Sequence, residues 1–282
     1  MKRLIVTADD FGLAIPVNEA VEEGHRRGIL TAASLMVTGD AAADAVARAR
    51  QMPKLGVGLH LVLVDGVPVL PPEQLPDLVG RDGRFRTNVL AQGVRIFCLP
   101  AARRQVAAEI RAQLEAFRAT GLALDHVNAH HHFHLHPTIQ QELLRQAGEF
   151  GIRAVRLPLE PPLASWRAGG RRLAWLSGFL EGRHARRLKR RLDAAGIRRN
   201  DQVFGLGDTG GMTSARVLRY LEDLPDGVSE IYFHPATQRP SEWPAHYDCR
   251  GELAALIDPA AAAVIARRGI ETMPFAGLER AA

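Results

Sequence analysis

Histidines are concentrated in one short stretch, residues 125–137, which reads DHVNAHHHFHLHP. Six of the eleven histidines of the chain lie within it. Imidazole nitrogens bind divalent metals and exchange protons near neutral pH. The stretch therefore predicts a metal site, acid–base chemistry or both, and the first question is which histidines take part.

Further ionisable side chains follow apolar runs elsewhere in the chain: Asp9 and Asp10 after RLIVTA, His60 after GVGL and His234 after EIYF. The C-terminal ends of parallel strands meet at one face of an α/β fold, so we expect these side chains to lie near His130. One carboxylate and two imidazoles are a common ligand set for a catalytic divalent metal. The predicted set is one of the two aspartates, His60 and one histidine of the cluster, with the other aspartate free as general base.

The adjacent pair Asp9–Asp10 sets a condition on the backbone. Neighbours in a regular strand point to opposite faces, so both can serve one site only if the strand ends and the chain turns there. Gly12 permits such a turn. A glycosidase is disfavoured, because two consecutive carboxylates do not frame a sugar bond well.

Strand geometry narrows the histidine cluster. If it is a strand, alternation places His130, His132, His134 and His136 on one face and His131 on the other. A rise of about 3.3 Å per residue keeps one ion from meeting all four. His130, nearest the apolar run, is the predicted ligand, with His134 as fallback ligand or supporting partner. His126 and His136 are predicted to be structural.

Apolar runs alternate with amphipathic segments, which is typical of a parallel α/β fold. The predicted strands are 3–12, 32–39, 55–63, 124–130, 152–158, 227–235 and 270–275. The predicted helices are 15–29, 40–52 with Asp40 as N-cap, 100–121, 137–151 and a broken helix over 253–269. Residues 65–100 are expected to be loop. We find no internal repeat or linker and predict a single domain over 1–282.

The positive charge of the chain is local. Residues 161–200 contain eleven Arg or Lys and two acidic residues, Glu181 and Asp193, so the net charge of this segment is +9. The net charge of the whole chain is +5, so the remaining residues together carry −4. It also contains Trp166, Trp175 and Phe179. A basic, aromatic-bearing insertion of this kind can contact an anionic membrane surface, and a solvated helical face is an equal alternative. We expect no nucleic-acid partner, because the basicity is not global.

Cysteine content and hydropathy bear on location. Cys98 and Cys249 are far apart, which argues against a disulfide framework and favours a reducing cytosol. No stretch approaches the roughly 20 apolar residues that span a bilayer. We therefore expect a cytoplasmic protein, acting in part at the inner face of the membrane.

Five motifs in order resemble those of the YdjC-like carbohydrate deacetylases: TADDFG (7–12), GLHL (58–61), NAHHHFHLHP (128–137), FHP (233–235) and RGEL (250–253). The resemblance extends from about residue 3 to residue 275. It implies a distorted (β/α) barrel, TIM-like with seven or eight parallel strands, often as a homodimer. It also implies one divalent metal ion, for which Asp/His/His ligands suit Zn²⁺ or Mg²⁺.

Carried over by position, the resemblance assigns roles to single residues. Asp10, His60 and His130 match the metal ligands, Asp9 the general base and His234 the general acid. The candidates for supporting or substrate-contacting roles are Asn128, His134, Arg156, Arg250 and Glu252. One motif departs from the family: the usual D-S-H-H-H reads N-A-H-H-H here, so an amide replaces a supporting carboxylate, which can change metal affinity or the pKa of bound water.

Longer stretches, among them NEAVEEGHRRGILTAASLMV, look most like the branch associated with hopanoid biosynthesis. That branch implies removal of acetyl from an N-acetylglucosaminyl group on a hopanoid lipid. Three alternatives remain open: a chitooligosaccharide-type deacetylase, a metal-dependent phosphoester hydrolase, and a non-enzymatic membrane- or nucleic-acid-binding protein that uses the basic segment 161–200.

Overall fold

The computed structural model describes residues 1–161 and 174–280, with the side chains of residues 174–181 and 279–280 outside the description. The strands are β1 (Lys2–Phe11), β2 (Ala32–Leu35), β3 (Gly56–Leu61), β4 (Val127–Ala129), β5 (Gln202–Phe204), β6 (Gly227–Phe233) and β7 (Glu271–Thr272). The helices are α1 (Ile15–Arg27), α2 (Ala42–Arg50), α3 (Val89–Cys98), α4 (Pro100–Ala119), α5 (Pro137–Phe150), α6 (Ala174–Ala194), α7 (Ser214–Glu222), α8 (Cys249–Leu256) and α9 (Pro259–Arg267). Short 3₁₀ segments cover Pro72–Gln74, His130–Leu135 and Phe275–Arg280.

The sheet is parallel and has β1 near its centre. Six strands follow one another in the order β4-β3-β2-β1-β6-β5, and the two-residue strand β7 pairs with the beginning of β1. β1 is buried from Leu4 to Phe11, as its near-continuous apolar run predicts for a strand covered on both faces. The described barrel is therefore built from six consecutive strands, fewer than the seven or eight predicted from the sequence.

An irregular segment spans the gap between the edge strands β4 and β5. Val155 forms an isolated parallel bridge with Val127 of β4, and Ala154 forms another with Arg198. Further along, the amide of Val203 in β5 donates to the carbonyl of Leu159. The predicted strand 152–158 is thus a bridging segment without a regular ladder, and the fold is a distorted barrel in a single α/β domain.

Several local predictions are wrong. Residues 65–100 are not all loop, because α3 lies within them, capped by the Asn88 side chain. Asp40 is not the N-cap of α2; Ala41 occupies that position without a side-chain cap. β5 and α7 were not predicted. The predicted break in the last helix is confirmed, since Asp258 caps α9 and Pro259 begins it.

The basic insertion is described in part. Its helix α6 runs from Ala174, and its buried side chains Ala185, Leu188 and Leu192 recur at helical spacing. Trp166 lies outside the described residues, as do the side chains of Trp175 and Phe179. Over the described part of the chain, no helix is both long and apolar enough to span a bilayer.

Candidate active site and metal centre

An irregularity in β1 brings both adjacent aspartates to one site. The pairing register between β1 and β2 shifts between Ala8 and Phe11, and Asp10 adopts a left-handed backbone with φ of 61°. Asp9 and Asp10 are buried and both line the same pocket. The chain turns at Asp10 as predicted, but the strand does not end there: a bulge re-aims one side chain and the strand continues to Phe11.

Three of the predicted ligands converge at the C-terminal ends of β1, β3 and β4. Oδ1 of Asp10 lies 3.1 Å from Nε2 of His60 and 3.2 Å from Nδ1 of His130. Asp10, His60 and His130 form a group whose ligand atoms all lie within 4.8 Å of one another. One small carboxylate and two imidazoles at this spacing match the donor set of a divalent metal.

The hydrogen bonds around Asp10, His60 and His130 show whether these three residues suit a bound cation. Oδ1 of Asp10 and Nε2 of His60 are buried and have no hydrogen-bond partner among the described residues. Nδ1 of His60 lies 2.7 Å from Oδ1 of Asn128, an oxygen that only accepts. Nδ1 therefore carries the proton, and the lone pair of Nε2 points towards Asp10. This tautomer and the orphaned atoms are what a metal ligand set requires.

Asn128 also contacts the predicted general base. Its Nδ2 donates to Oδ1 of Asp9 at 3.0 Å and to Oγ of Ser34 at 2.8 Å. The donation to a carboxylate fixes the amide orientation, since a carboxylate cannot donate. Asn128, for which the resemblance predicts a departure from the family motif, thus supports His60 and Asp9 together.

Trp243 completes the group and was not predicted from the sequence. Its indole Nε1 donates to Oδ2 of Asp10 at 2.9 Å, and the side chain is buried. This bond turns Oδ1 of Asp10 towards the two histidines. No local signal marks Trp243, because it is 233 residues from Asp10 and lies in the loop SEWPAHYD.

Asp9 belongs to a buried ionic network. Arg156 donates to Oδ2 of Asp9 at 2.5 Å and to Oδ1 at 3.0 Å, and also to Oε1 of Glu230 at 2.7 and 2.9 Å. Thr7 donates to the same Glu230 oxygen. Burial raises the pKa of Asp9, but the charge and hydrogen bonds of Arg156, together with the charges of His60 and His234, outweigh it and hold that pKa far below its ordinary value. Arg156, predicted only as a candidate, therefore keeps Asp9 ionised.

His234 lies just beyond β6, beside β1, and lines the same pocket. Trp243 and Tyr247 surround its ring, with centroids 5.7 and 5.5 Å away. Burial lowers the pKa of His234, against the opposing charges of Asp10 and Asp9. Glu252 holds the backbone of His234 in place, because this buried carboxylate accepts hydrogen bonds from the backbone amides of His234 and Met212.

The histidine cluster does not continue as a strand. β4 ends at Ala129, and His130–Leu135 is a 3₁₀ segment in which His131 and His132 both have φ of 52°. The predicted alternation of faces is therefore wrong. His131 and His132 both line the pocket, and His131 lies 3.5 Å from Asp65. Asp65, His130 and His131 form a second, more exposed group of convergent ligand atoms.

The remaining histidines of the cluster have structural contacts. Nε2 of His134 lies 3.0 Å from the carbonyl of Arg156, and burial lowers the pKa of His134 to about 3, so the ring is neutral. This places His134 against the Arg156 backbone and outside both convergent groups. As predicted, His126 is buried, with contacts to Ser34 and Asp125. His136 caps α5 through Thr138, which confirms its structural role.

Arg250 does not line the pocket. It is exposed, and its Nε donates to the carbonyl of Thr237 at 2.8 Å. Within the RGEL motif, Glu252 contacts a predicted site residue, through the backbone amide of His234. The motif therefore serves the site through the position of the His234 backbone.

The pocket above these residues has a volume of about 410 Å³, within the range of small-ligand sites. One wall is aromatic, with Tyr232, Trp243 and Tyr247. The exposed rim carries three carboxylates and one guanidinium: Asp40, Asp65, Glu242 and Arg84. Aromatic faces beside polar groups suit a carbohydrate, which presents both C–H faces and hydroxyls.

Fold and site together define an α/β-barrel protein with a candidate metal centre at the C-terminal ends of its strands. A family model described as YdjC-like protein matches residues 3–267, and the chain belongs to this family.

Relatives and solved structures extend the comparison. The chain is 37% identical over 235 residues to a carbohydrate deacetylase of Brevibacillus brevis strain 47, covering 83% of this chain and 81% of the relative. It is 31% identical over 277 residues to a carbohydrate deacetylase of Geobacillus stearothermophilus, covering 96% of both. A crystal structure from Enterococcus faecalis V583, described as a cellobiose-phosphate cleavage protein, superposes with a TM-score of 0.76 at 24% identity over 98% of both chains and shares the fold.

Proposed function

We propose that this protein is a metal-dependent deacetylase of N-acetylated amino sugars, and that its substrate is the N-acetylglucosaminyl head group of a hopanoid lipid. The observation that carries the reaction type is the convergence of Asp10, His60 and His130 beside the ionised Asp9, under an open pocket. The relatives named carbohydrate deacetylases support the same class of substrate.

The net reaction is hydrolysis of an amide. Water adds to the acetyl carbon, the C–N bond breaks, and acetate and a free amine leave. Asp10, His60 and His130 would hold a divalent metal, Zn²⁺ or Mg²⁺, which when bound supplies Lewis-acid polarisation and lowers the pKa of water. The residues of the chain then have to orient the reactants and move a proton from the water to the departing nitrogen.

Asp9 is proposed to accept the proton of the attacking water. It is ionised in the resting site at neutral pH, because Arg156 and the nearby imidazoles lower its pKa. For the same reason Asp9 holds a proton only weakly, so it readily gives up the proton that it has taken from the water. Asn128 and Arg156 keep the carboxylate in place through this transfer.

His234 is proposed to donate the proton to the leaving amine. Its Nδ1 is buried and has no hydrogen-bond partner among the described residues, and its backbone is held by Glu252. A neutral resting imidazole can relay a proton, taking up the one that Asp9 accepted from the water and delivering it to nitrogen as the C–N bond breaks. The second proton of the water is released when the acetic acid product ionises to acetate.

The charges at the pocket rim distinguish between an acetylated sugar and a phosphoester as substrate. Asp40, Asp65 and Glu242 outnumber Arg84 at the mouth, and such a charge balance disfavours an anionic phosphoester. The hopanoid substrate rests on the resemblance and on the basic insertion. The cytoplasmic location at the inner face of the membrane and the homodimer stay predictions.

The test is an acetate-release assay after chelation and metal add-back. The substrates are an N-acetylglucosaminyl hopanoid and chitooligosaccharides, with phosphate release from a sugar phosphate measured in parallel. We expect acetate from the hopanoid, loss of activity on chelation and recovery on add-back. Acetate from chitooligosaccharides alone would retain the deacetylase and reject the hopanoid, and phosphate release without acetate would reject both.

A further inference from the structure

Helix α3 buries Gln92 and Ile96 but leaves large apolar side chains exposed. Its buried residues include the polar Gln92, whereas Leu90, Val94 and Phe97 are 79%, 54% and 57% exposed. These three recur at i, i+4 and i+7, so they form one stripe on the outer face of the helix. Gln92 faces inward because its amide donates to the carbonyls of Leu63 and Leu78. A contiguous outward apolar stripe marks an interaction surface.

The surroundings of this stripe are basic. From Asn88 to Ala108 the sequence contains Arg95, Arg103 and Arg104 and no acidic residue. The guanidinium of Arg103 lies 5.8 Å from the ring centroid of Phe97 and donates to the Phe97 carbonyl. The end of the apolar stripe therefore carries a cation directly beside it.

Helix α6 adds a second block of positive charge. Between residues 182 and 192 the sequence has five arginines and one lysine, and no acidic residue. The helix buries Ala185, Leu188 and Leu192 against the domain, so its arginines other than the half-buried Arg191 point outward. The exposed ones are Arg183, Arg186, Arg187 and Arg190.

The two helices are both neighbours of α5, against which each of them packs. On the α3 side, Nε2 of His136 lies 3.1 Å from the carbonyl of Gly93, and its ring lies 6.4 Å from that of Phe97. On the α6 side, Arg191 donates to the carbonyl of Pro137 at 3.3 Å. The apolar stripe and the basic helix thus flank the beginning of α5.

The beginning of α5 also adjoins the pocket. The 3₁₀ segment that ends just before His136 carries His131 and His132, which line the pocket, and it packs against both α5 and α6. A large ligand anchored on α3 and α6 would therefore reach the mouth over a short distance.

We propose that α3 and α6 form a docking surface for an anionic lipid bilayer, with Leu90, Val94 and Phe97 inserting at the interface and the arginines of α6 facing the headgroups. Apolar side chains flanked by basic ones are the composition of an interfacial anchor. A second copy of this chain is a poorer occupant, because a two-fold contact here would bring two basic helices together. The inference goes beyond the proposed reaction, since docking does not depend on what the pocket hydrolyses.

The test is co-sedimentation of the full-length protein with vesicles of phosphatidylcholine, with and without phosphatidylglycerol. Three variants are compared with the wild type: L90S/V94S/F97S on α3, R183Q/R186Q/R187Q/R190Q on α6, and R267Q/R268Q on α9 as a control for lost surface charge. We expect binding to the anionic vesicles alone, weakened about tenfold or more by either of the first two changes and unchanged by the third. Raising NaCl from about 0.1 to about 0.5 M should also release the protein.

Three results would overturn the proposal: no binding to anionic vesicles, equal binding to neutral vesicles, or variants that bind as the wild type does. Sedimentation velocity adds a fourth, because a dimer lost in L90S/V94S/F97S would make this face a contact between copies. His60→Ala separates docking from chemistry. It should bind vesicles normally even if the proposed deacetylation proves wrong, and circular dichroism of each variant verifies its fold.

Discussion

At the scale of single residues, the Asn128 amide has a property that a carboxylate lacks. Its oxygen accepts from His60 and its nitrogen donates to Asp9, so one side chain orients a metal-ligand candidate and the base candidate. A carboxylate could do the first but would repel Asp9. The departure from the family motif is therefore compatible with an ordered site, and it lowers the negative charge around the centre.

The roles of base and ligand predict different losses. Asp9→Asn should reduce turnover by about a hundredfold or more and retain the metal, because the neutral amide cannot take a proton. His130→Ala should lose the metal along with activity, since one of three ligands is gone. Metal content after gel filtration and acetate release measure the two effects. Near-normal deacetylation by Asp9→Asn would show that the base is another group.

Trp243 predicts an effect on metal affinity at a residue that binds no metal. Trp243→Phe keeps an aromatic ring but removes the donor to Oδ2 of Asp10, and we expect the metal Kd to rise about 10- to 100-fold. Titration calorimetry measures it, independently of activity. Tyr247→Phe is the matched control on the same pocket wall and should leave the Kd unchanged. An equal Kd in both variants would mean that the indole bond does not orient Asp10.

At the scale of elements, the site depends on irregularities at strand ends. β1 bulges at Asp10, and β4 stops at Ala129 and gives way to left-handed residues at His131 and His132. A glycine follows the bulge at Asp10. Gly12 has φ of +93°, and a Cβ at this position would lie 3.0 Å from the carbonyl oxygen of Met36. Such conformations are costly for other residues, and the packing around them has to maintain them.

The start of α8 predicts a pH dependence of stability. Burial raises the pKa of Glu252 to about 7, although the backbone amides of Met212 and His234 act against this. A raised pKa means that the stabilising contribution is complete below the ordinary value of 4.5 and is lost as the pH rises through about 7. The free energy of unfolding should therefore decline over this window, and Glu252→Gln should make the decline shallower.

Urea unfolding at about pH 5 and about pH 7.5 measures the effect. The decline should not vanish, because burial also raises the pKa of Glu160 to about 7. Exposed Glu242→Gln is the control and should retain the full wild-type slope. An unchanged slope in Glu252→Gln would indicate that Glu252 is ionised in the fold at neutral pH.

At the scale of the whole molecule, Arg156 ties the barrel together where its sheet is least regular. It extends from the bridging segment between β4 and β5 to Asp9 of β1 and Glu230 of β6, and it is fully buried. The network thus holds the general-base candidate and closes the ring with the same side chain.

Removing this guanidinium should be costly. Arg156→Met leaves Asp9 and Glu230 buried without their cation, and we expect a loss of about 3–5 kcal/mol in the free energy of unfolding. Arg156→Met with Glu230→Gln should recover part of this loss, because one buried charge is then absent. Chemical denaturation measures both. The control is exposed Arg145→Met, which breaks a surface pair with Glu142 and should cost no more than about 1 kcal/mol. A similar loss in the single variant, the double variant and the control would argue against the network.

The sequence by itself determined the class of fold, most of the elements around the site, and the candidate ligands and catalytic residues. Apolar periodicity places Asp9, Asp10, His60, His130 and His234 at strand ends, and strand ends in a parallel sheet meet at one face. The division of ligand and catalytic roles among them came from the family resemblance. His126 and His136 were also correctly predicted as structural, from their positions inside a strand and before a helix.

Only the tertiary structure decided the rest. The bulge at Asp10 and the left-handed turn at His131 depend on packing, so strand alternation gave the wrong faces for the histidine cluster. Trp243 and Arg156 reach the site from segments distant in sequence, and no local pattern marks a long-range hydrogen bond. The segment of α3 was predicted to be loop, and hydropathy alone does not tell which face of a helix the domain covers, so its exposed apolar stripe was not predicted.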